Sequence, residues 1–423
     1  MNKKQDKKLF YQRKNFWKEA TPSTIKKAFA FAEPYMDFLD KAKTVRETIA
    51  YTEALLKEHK FQSIGGKKGS RRLYQIFRGK TIAMAVLGSE PLSGGFNMVA
   101  SHIDAPRVDL KQNPFYEDSS SGMACMRTHY YGGIKKYQWV STPLALHGIV
   151  IRADGSKIDV SIGEKDDEPV FIIPDLLPHL ARKEQYSKNL ADAIDASRMN
   201  LVFSGMMEPA SEEKEAIKAY TLQLLKKQLK MEESDFISAE LELVPATKAR
   251  HSGFDSSMVV GYGQDDRVCA YAALRGLLDN LDGTPKRTMI VYFSDKEEVG
   301  SQGNTGAHSV FIQDFVAALL RANGESDSSA NLRKTFINSQ ILSGDVTAAV
   351  DPNYPGVHER QNAVLFNHGV GLCKFTGSGG KAGCNDANAE FTAKVIRIFN
   401  KAGVFWQMGE LGKVDEGGGG TIA

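Results

Sequence analysis

Residues 95–110 read "GFNMVASHIDAPRVDL", a short apolar run that ends on His102, two places before Asp104. The run has the pattern of a buried strand. A plain turn after such a strand calls for Gly, Asn or Pro and makes no use of an imidazole beside a carboxylate. A metal site does, because a ligating imidazole is usually steered by a carboxylate or carbonyl on its other nitrogen. A satisfied structural histidine is the competing reading of this stretch taken alone.

Outward from this stretch, "TIAMAVLG" (81–88) is a second apolar strand, set off by a Gly/Pro/Ser turn. Residues 22–60 read as helices: "TPSTIKKAFAFAEPYMDFLD" opens on Ser/Thr caps, and "TVRETIAYTEALLKEH" has helical apolar spacing. The Lys/Arg-rich "MNKKQDKKLFYQRKNFWKEA" (1–20) lacks the apolar core and cleavage site of a signal peptide, and its acids argue against a transit peptide. It reads as a solvated amphipathic helix. Between about 110 and 250 the texture changes. "HGIVIRADGSKIDVSIG" predicts a hairpin around Asp-Gly, and "SEEKEAIKAYTLQLLKKQLKM" a helix with charge pairs. Beyond 250, strand, loop and helix alternate again. The pattern predicts an α/β domain in two parts, 1–109 and 251–423, split by an insertion over 110–250.

At 423 residues the chain has room for two domains or three. Its 42% hydrophobic and 25% charged content fits a soluble globular enzyme. The net charge of +3 is too small to argue for nucleic acid or anionic membranes as partners. No run of about eighteen apolar residues spans a bilayer. Cys125, Cys269, Cys373 and Cys384 show no Cys-x-x-Cys spacing. That predicts a reducing cytoplasm and removes sulfur-ligated structural zinc. "GGKKGS" and "GSGGKAG" lack the spacing of a phosphate loop. Any metal must therefore use His, Asp and Glu.

Three further apolar runs end in acids. "GYGQDDRVCAYAAL" places Asp265 and Asp266 where a loop enters a helix, and helix capping is their plain reading. "MIVYFSDKEEVGS" places Glu297 and Glu298 after a strongly apolar strand. Adjacent strand residues face opposite ways, so both can serve one site only from an irregular loop, which "VGSQG" permits. One glutamate can then ligate while the other accepts a proton from a metal-held water. "LSGDVTAAVDPNY" supplies Asp345 and Asp351. Charge balance favours two divalent ions, whose four positive charges Asp265, Glu298, Asp345 and one hydroxide offset, with neutral His102 as a further donor. The absence of His-Glu-x-x-His removes the single-zinc helical type of peptidase. Loops that follow strands are also where open α/β sheets bind ligands.

Together "ASHIDAPRVDLKQNPFYE", "YYGGIKKYQW", "GQDDRV", "DKEEVGS", "SGDVTAAVDPNY" and "WQMGELGKVDEGGGGT" resemble, in order and spacing over most of the chain, the aspartyl aminopeptidase / vacuolar aminopeptidase I family of zinc metallopeptidases. The resemblance is to a bacterial member. It implies a mixed central sheet flanked by helices, with an inserted β-rich oligomerisation domain. It implies two divalent metal ions, zinc ahead of cobalt or manganese, and removal of the N-terminal residue from peptides by a hydroxide shared between them. It places His102, the bridging Asp265, Glu298 and Asp345 as ligands, Asp104 as the carboxylate that orients His102, and Glu297 as general base. Asp266 and Asp351 receive no role. His179, in "PHL", is implied to reach a neighbouring subunit's site and steady an oxyanion. Lys374 is implied to pair with an acidic substrate side chain; Lys381 is its rival, and a solvated lysine the plain reading. The resemblance further implies a cytoplasmic homo-oligomer, dimers building a tetrahedral dodecamer.

Relatives run past "GGGGT" to a further histidine ligand. A C-terminally truncated chain is therefore expected, with one weakly held metal and peptidase activity reduced or absent. Two other readings stay open, a weak or silent assembly subunit and a di-metal amidase or deacylase.

Overall fold

The computed structural model describes residues 9–66, 69–377, 379–381 and 384–419. Its architecture follows from two kinds of strand. In β3 (Thr81–Val86) every residue is buried, so both faces must be covered. It sits inside a six-stranded sheet with β1 (Gln62–Ser63), β2 (Arg72–Phe77), β4 (Asn97–His102), β13 (Met289–Ser294) and β14 (Gln340–Ser343), in the order β1-β2-β3-β13-β4-β14. The sheet is mixed: β2, β3 and β13 pair antiparallel, whereas β13, β4 and β14 run parallel.

Alternation sorts the two faces. Ile82, Met84, Val291 and Phe293 pack with Val45, Ile49 and Leu56 of the helix Val45–Glu58 and with Leu274 and Leu277 of the helix Gln264–Leu278. Ala83, Ala85, Ile290 and Tyr292 point the other way, onto Phe315, Val316 and Leu319 of the helix Phe311–Ala322. A sheet between two helical layers results.

The second sheet is wholly antiparallel, in the order β8-β7-β10-β5-β6-β9. Its strands are β5 (Arg107–Asp118), β6 (Met123–Tyr131), β7 (Leu144–Ile151), β8 (Lys157–Ile162), β9 (Leu201–Ser204) and β10 (Glu240–Pro245). The Asp154-Gly155 turn joins β7 to β8. Leu144, Leu146, Leu241 and Leu243 fill a core closed by Ile217 and Leu225 of the helix Ala216–Leu229. A small hairpin of β11 (Arg250–Ser252) and β12 (Met258–Val260) follows before the chain returns to the first sheet.

Residues of β7 and β10 that alternate with that core meet the first sheet's unit through charges. Thr44 caps the helix Val45–Glu58 in a capping box with Glu47. The other Glu47 oxygen accepts from buried His147 Nδ1 at 2.7 Å, and His147 Nε2 donates to Glu164 Oε1 at 2.9 Å. Lys43, only 1% exposed along its side chain, closes the group on Glu164 at 2.7 Å.

Among the described residues no helix is long and apolar enough to cross a membrane. The amphipathic helix expected over residues 1–20 is not what forms in the described part. Residues 9–15 are non-helical, and a four-residue helix, Phe16–Glu19, starts where Asn15 caps it. Arg13 instead reaches across to the carbonyls of Gln361 and Ala363, tying this segment to the far end of the chain. Residues 1–8 lie outside the described residues.

Candidate metal centre

Three parallel strands end together. His102 closes β4 opposite Ser294 of β13, and the Gly344 amide extends β14 by donating to the Ala100 carbonyl at 2.7 Å. The loops after these strands carry the acids. A Cβ at Gly344 would stand 3.0 Å from Ser101 Oγ and 3.1 Å from Cys269 Cβ, tighter than ordinary contact, so glycine suits the close approach from which Asp345 starts.

His102 is 1% exposed. Its Nδ1 lies 3.0 Å from the Asp104 backbone carbonyl and 3.3 Å from Asp104 Oδ1, a pairing in which Nδ1–H donates and Nε2 is turned to the acids. Nε2 has Asp265 Oδ1 at 3.1 Å, Asp345 Oδ1 at 3.7 Å and Glu297 Oε2 at 3.8 Å. Asp104 is fully buried and accepts from the backbone amides of Glu297 and Glu298 at 3.1 and 3.2 Å. Those amides are free to do so because Glu297–Val299 forms a single 3₁₀ turn entered through Lys296 at φ 72°. The turn sends both glutamate side chains into one site.

Asp265 and Asp266 do not cap the helix Gln264–Leu278 as their plain reading had it. Gly263 holds the cap position, and the two aspartates, joined by a cis peptide, have non-helical backbones. They are aimed at His102 and Asp345 instead. Three groupings have ligand atoms within 4.8 Å of one another: His102, Glu297 and Asp345; His102, Asp265 and Glu298; Asp265, Asp266 and Asp345.

The electrostatics fit a cation. Asp266 is completely buried, and neither carboxyl oxygen has a hydrogen bond of ordinary geometry, although the weakly donating Cys269 thiol stands beside it. Burial pushes its carboxyl up to about 8. Burial and then the Asp265 charge push Glu298 up to about 7; burial and Asp345 raise Glu297. Burial works against charge on His102, but Asp104, Asp265 and Asp345 outweigh it and raise its pKa. So many acids sharing one imidazole are short of positive charge, which divalent ions would supply.

This donor set, one imidazole with carboxylates at the carboxyl edge of a mixed sheet, can be compared with known proteins. Residues 38–423 match the family described as aminopeptidase I zinc metalloprotease (M18). The chain belongs to that family. With it comes membership of the zinc aminopeptidases, exopeptidases that act by hydrolysis. A probable M18 family aminopeptidase 1 of Clostridium acetobutylicum is 44% identical, over 98% of this chain and 90% of its own length. The crystal structure of the M18 aminopeptidase from Thermotoga maritima superposes with a TM-score of 0.91 at 43% identity, covering 98% of this chain and 90% of that one. Aminopeptidase I from Clostridium acetobutylicum gives 0.87 at 42% identity with the same coverage.

The structure gathers His102, Asp104, Asp265, Glu297, Glu298 and Asp345. It does not bring His179 to them: that residue is exposed on the helix Pro178–Glu184. Lys374 and Asp345 both line a cleft of about 960 Å³, which also takes in Lys381 and Asp386. Lys381 is paired with Asp386 at 3.0 Å. Asp266 and Tyr131, whose phenol reaches Asp104, received no role from the sequence. Nothing in the adjacency of two aspartates tells which one is buried, and Tyr131, at the end of an antiparallel strand, meets Asp104 on the loop that follows β4.

Proposed function

We propose that this M18 aminopeptidase works with two divalent metal ions, zinc by its family, held by His102, Asp265, Glu298 and Asp345, with Glu297 as general base. The observation that carries this reading is the convergence of three carboxylates within 3.1–3.8 Å of one buried imidazole nitrogen. Divalent ions bound there would polarise the scissile carbonyl and bring the pKa of a water toward neutrality. Asp265 belongs both to the grouping with His102 and Glu298 and to the grouping with Asp266 and Asp345, which supports its place as the bridge. Asp104 fixes the His102 ring from behind. Glu297, with 13% of its side chain exposed and its proton affinity raised by burial, suits a group that takes the water proton and returns it to the leaving amine.

Lys374, on the cleft shared with Asp345, is the group to favour an acidic N-terminal side chain. Lys381 is a weaker choice because Asp386 already occupies its ammonium. Assembly into dimers and then a tetrahedral dodecamer, with His179 completing a neighbour's site, is supported by the exposed Leu177, Leu180, Tyr186 and Leu190 around it.

The test is a substrate panel on zinc-loaded protein. Aminoacyl anilides should be cleaved, N-acyl amides should not, and Lys374→Ala should lower the ratio of Asp or Glu to Leu substrates about tenfold. Cleavage confined to N-acyl amides would replace the peptidase reading with an amidase. An unchanged ratio in Lys374→Ala would remove that residue from specificity.

A further inference from the structure

Asp104 is held from two directions. The Glu297 and Glu298 amides approach from the 3₁₀ turn at 3.1 and 3.2 Å. From the opposite element comes the Tyr131 phenol, which donates to Asp104 Oδ2 at 2.6 Å. Tyr131 is the last residue of β6 and so belongs to the antiparallel sheet, not to the sheet whose edge carries the acids.

Its ring has little freedom. The Arg107 guanidinium carbon stands 3.8 Å from the ring centroid and Lys296 Nζ 5.0 Å. Arg107 Nε donates to Asp109 Oδ1 at 2.8 Å and lies 3.2 Å from Glu242 Oε2 on β10, out of hydrogen-bond alignment. The chain then turns at Gly132, where φ is +71° and a Cβ would meet Glu298 Cβ at 3.3 Å. A run of contacts therefore leads from β10 through Arg107 and Tyr131 to Asp104 and His102.

We propose that Tyr131 is a positioning residue of the metal centre, its hydroxyl fixing the Asp104 carboxylate in the orientation that serves His102 and both glutamate amides. The two amides alone come from one turn and leave the carboxylate free to tilt with it; the phenol adds a fixed point on a different element. The inserted sheet is then part of the catalytic unit, whatever its part in assembly. This rests on the metal centre proposed above.

The test is zinc affinity, measured on the full chain by competition with a chromogenic chelator. Tyr131→Phe removes one oxygen and keeps the ring between Arg107 and Lys296. Zinc binding should weaken about tenfold or more, as for lost partners of other metal-ligating histidines. At saturating zinc the loss should fall on kcat, with KM within about twofold of the parent. Added to Asp104→Asn, the same change should cost nothing further, because the carboxylate it positions is gone. Parental zinc affinity in folded Tyr131→Phe, or losses that add in full, would overturn the proposal. If Tyr131→Phe does not fold, Arg107→Lys, which loosens the ring but keeps its hydroxyl, carries the test. A several-fold weaker affinity supports the positioning role, and parental affinity overturns it. Asp265→Asn separates the two levels. If it too keeps its zinc, the metal centre itself is misplaced and the role of Tyr131 falls with it. If it loses zinc while Tyr131→Phe does not, only the role of Tyr131 falls.

Discussion

Glu297 and Glu298 are chain neighbours with different surroundings. Glu298 groups with Asp265 and Glu297 with Asp345, both around His102. Glu297→Gln keeps the shape and removes the basic oxygen, so zinc content should stay at the parental level while kcat falls by about 10²- to 10⁴-fold. Turnover at the parental rate, with zinc confirmed by elemental analysis, would take Glu297 out of the base role. At this scale the sequence is informative where chemistry is odd for its place. His102 after an apolar strand has a structural reading when taken alone, but with paired acids after another strand it points to one site, and these side chains do meet. Asp266 illustrates the limit. Its burial depends on a non-helical backbone at the start of the helix Gln264–Leu278, which a capping pattern conceals. Tyr131 illustrates it again, since a tyrosine closing an antiparallel strand carries no sign of the loop carboxylate its phenol meets.

Between elements, the joint of the two sheets is ionic where both cores are apolar. His147 is the hinge of that joint, with Glu47 on one nitrogen, Glu164 on the other, and Lys43 on Glu164. Burial disfavours its charge, but the two carboxylates outweigh burial and push it up to about 9; Glu47 and Glu164 are held below the usual carboxylate range by His147 despite their own burial. The signs fix a window. The folded pKa of His147 is raised above the unfolded value, so its stabilisation is full below about pH 6.5 and is lost as pH rises through about 9. Glu47 and Glu164 have depressed values, so theirs is lost as pH falls below the ordinary carboxylate range. With zinc bound, so that the acids of the metal centre stay ionised, denaturant unfolding should show a plateau near pH 5.5–6.5 and a decline on the order of 3 kcal/mol toward pH 9. His147→Gln should abolish most of that alkaline decline. An equal decline in the variant would place its cause elsewhere. The helices, the Asp-Gly hairpin and the central strands that build these elements are legible from apolar period and turn residues. The pairing across the joint is not, because Glu47 reads as half of a capping box and His147 as one residue of a strand.

For the whole molecule, the acid cluster makes folding and metal binding one equilibrium. Without cations the site holds several buried carboxyls whose charged forms are disfavoured, first by burial and then by one another, as the raised values of Asp266, Glu297 and Glu298 record. Zinc at about a hundred times its dissociation constant should add about 2.7 kcal/mol of stability per independently bound ion. Chelation should therefore lower the melting temperature, and zinc should restore it, with Asp265→Asn insensitive to both. A parental melting temperature in the chelated protein would separate folding from the site.

Anomalous diffraction at the zinc edge from zinc-loaded crystals tests the central claim most directly. Two peaks should flank Asp265, one toward His102 and Glu298 and the other toward Asp345. A single peak, or peaks away from these side chains, would contradict the paired-metal centre.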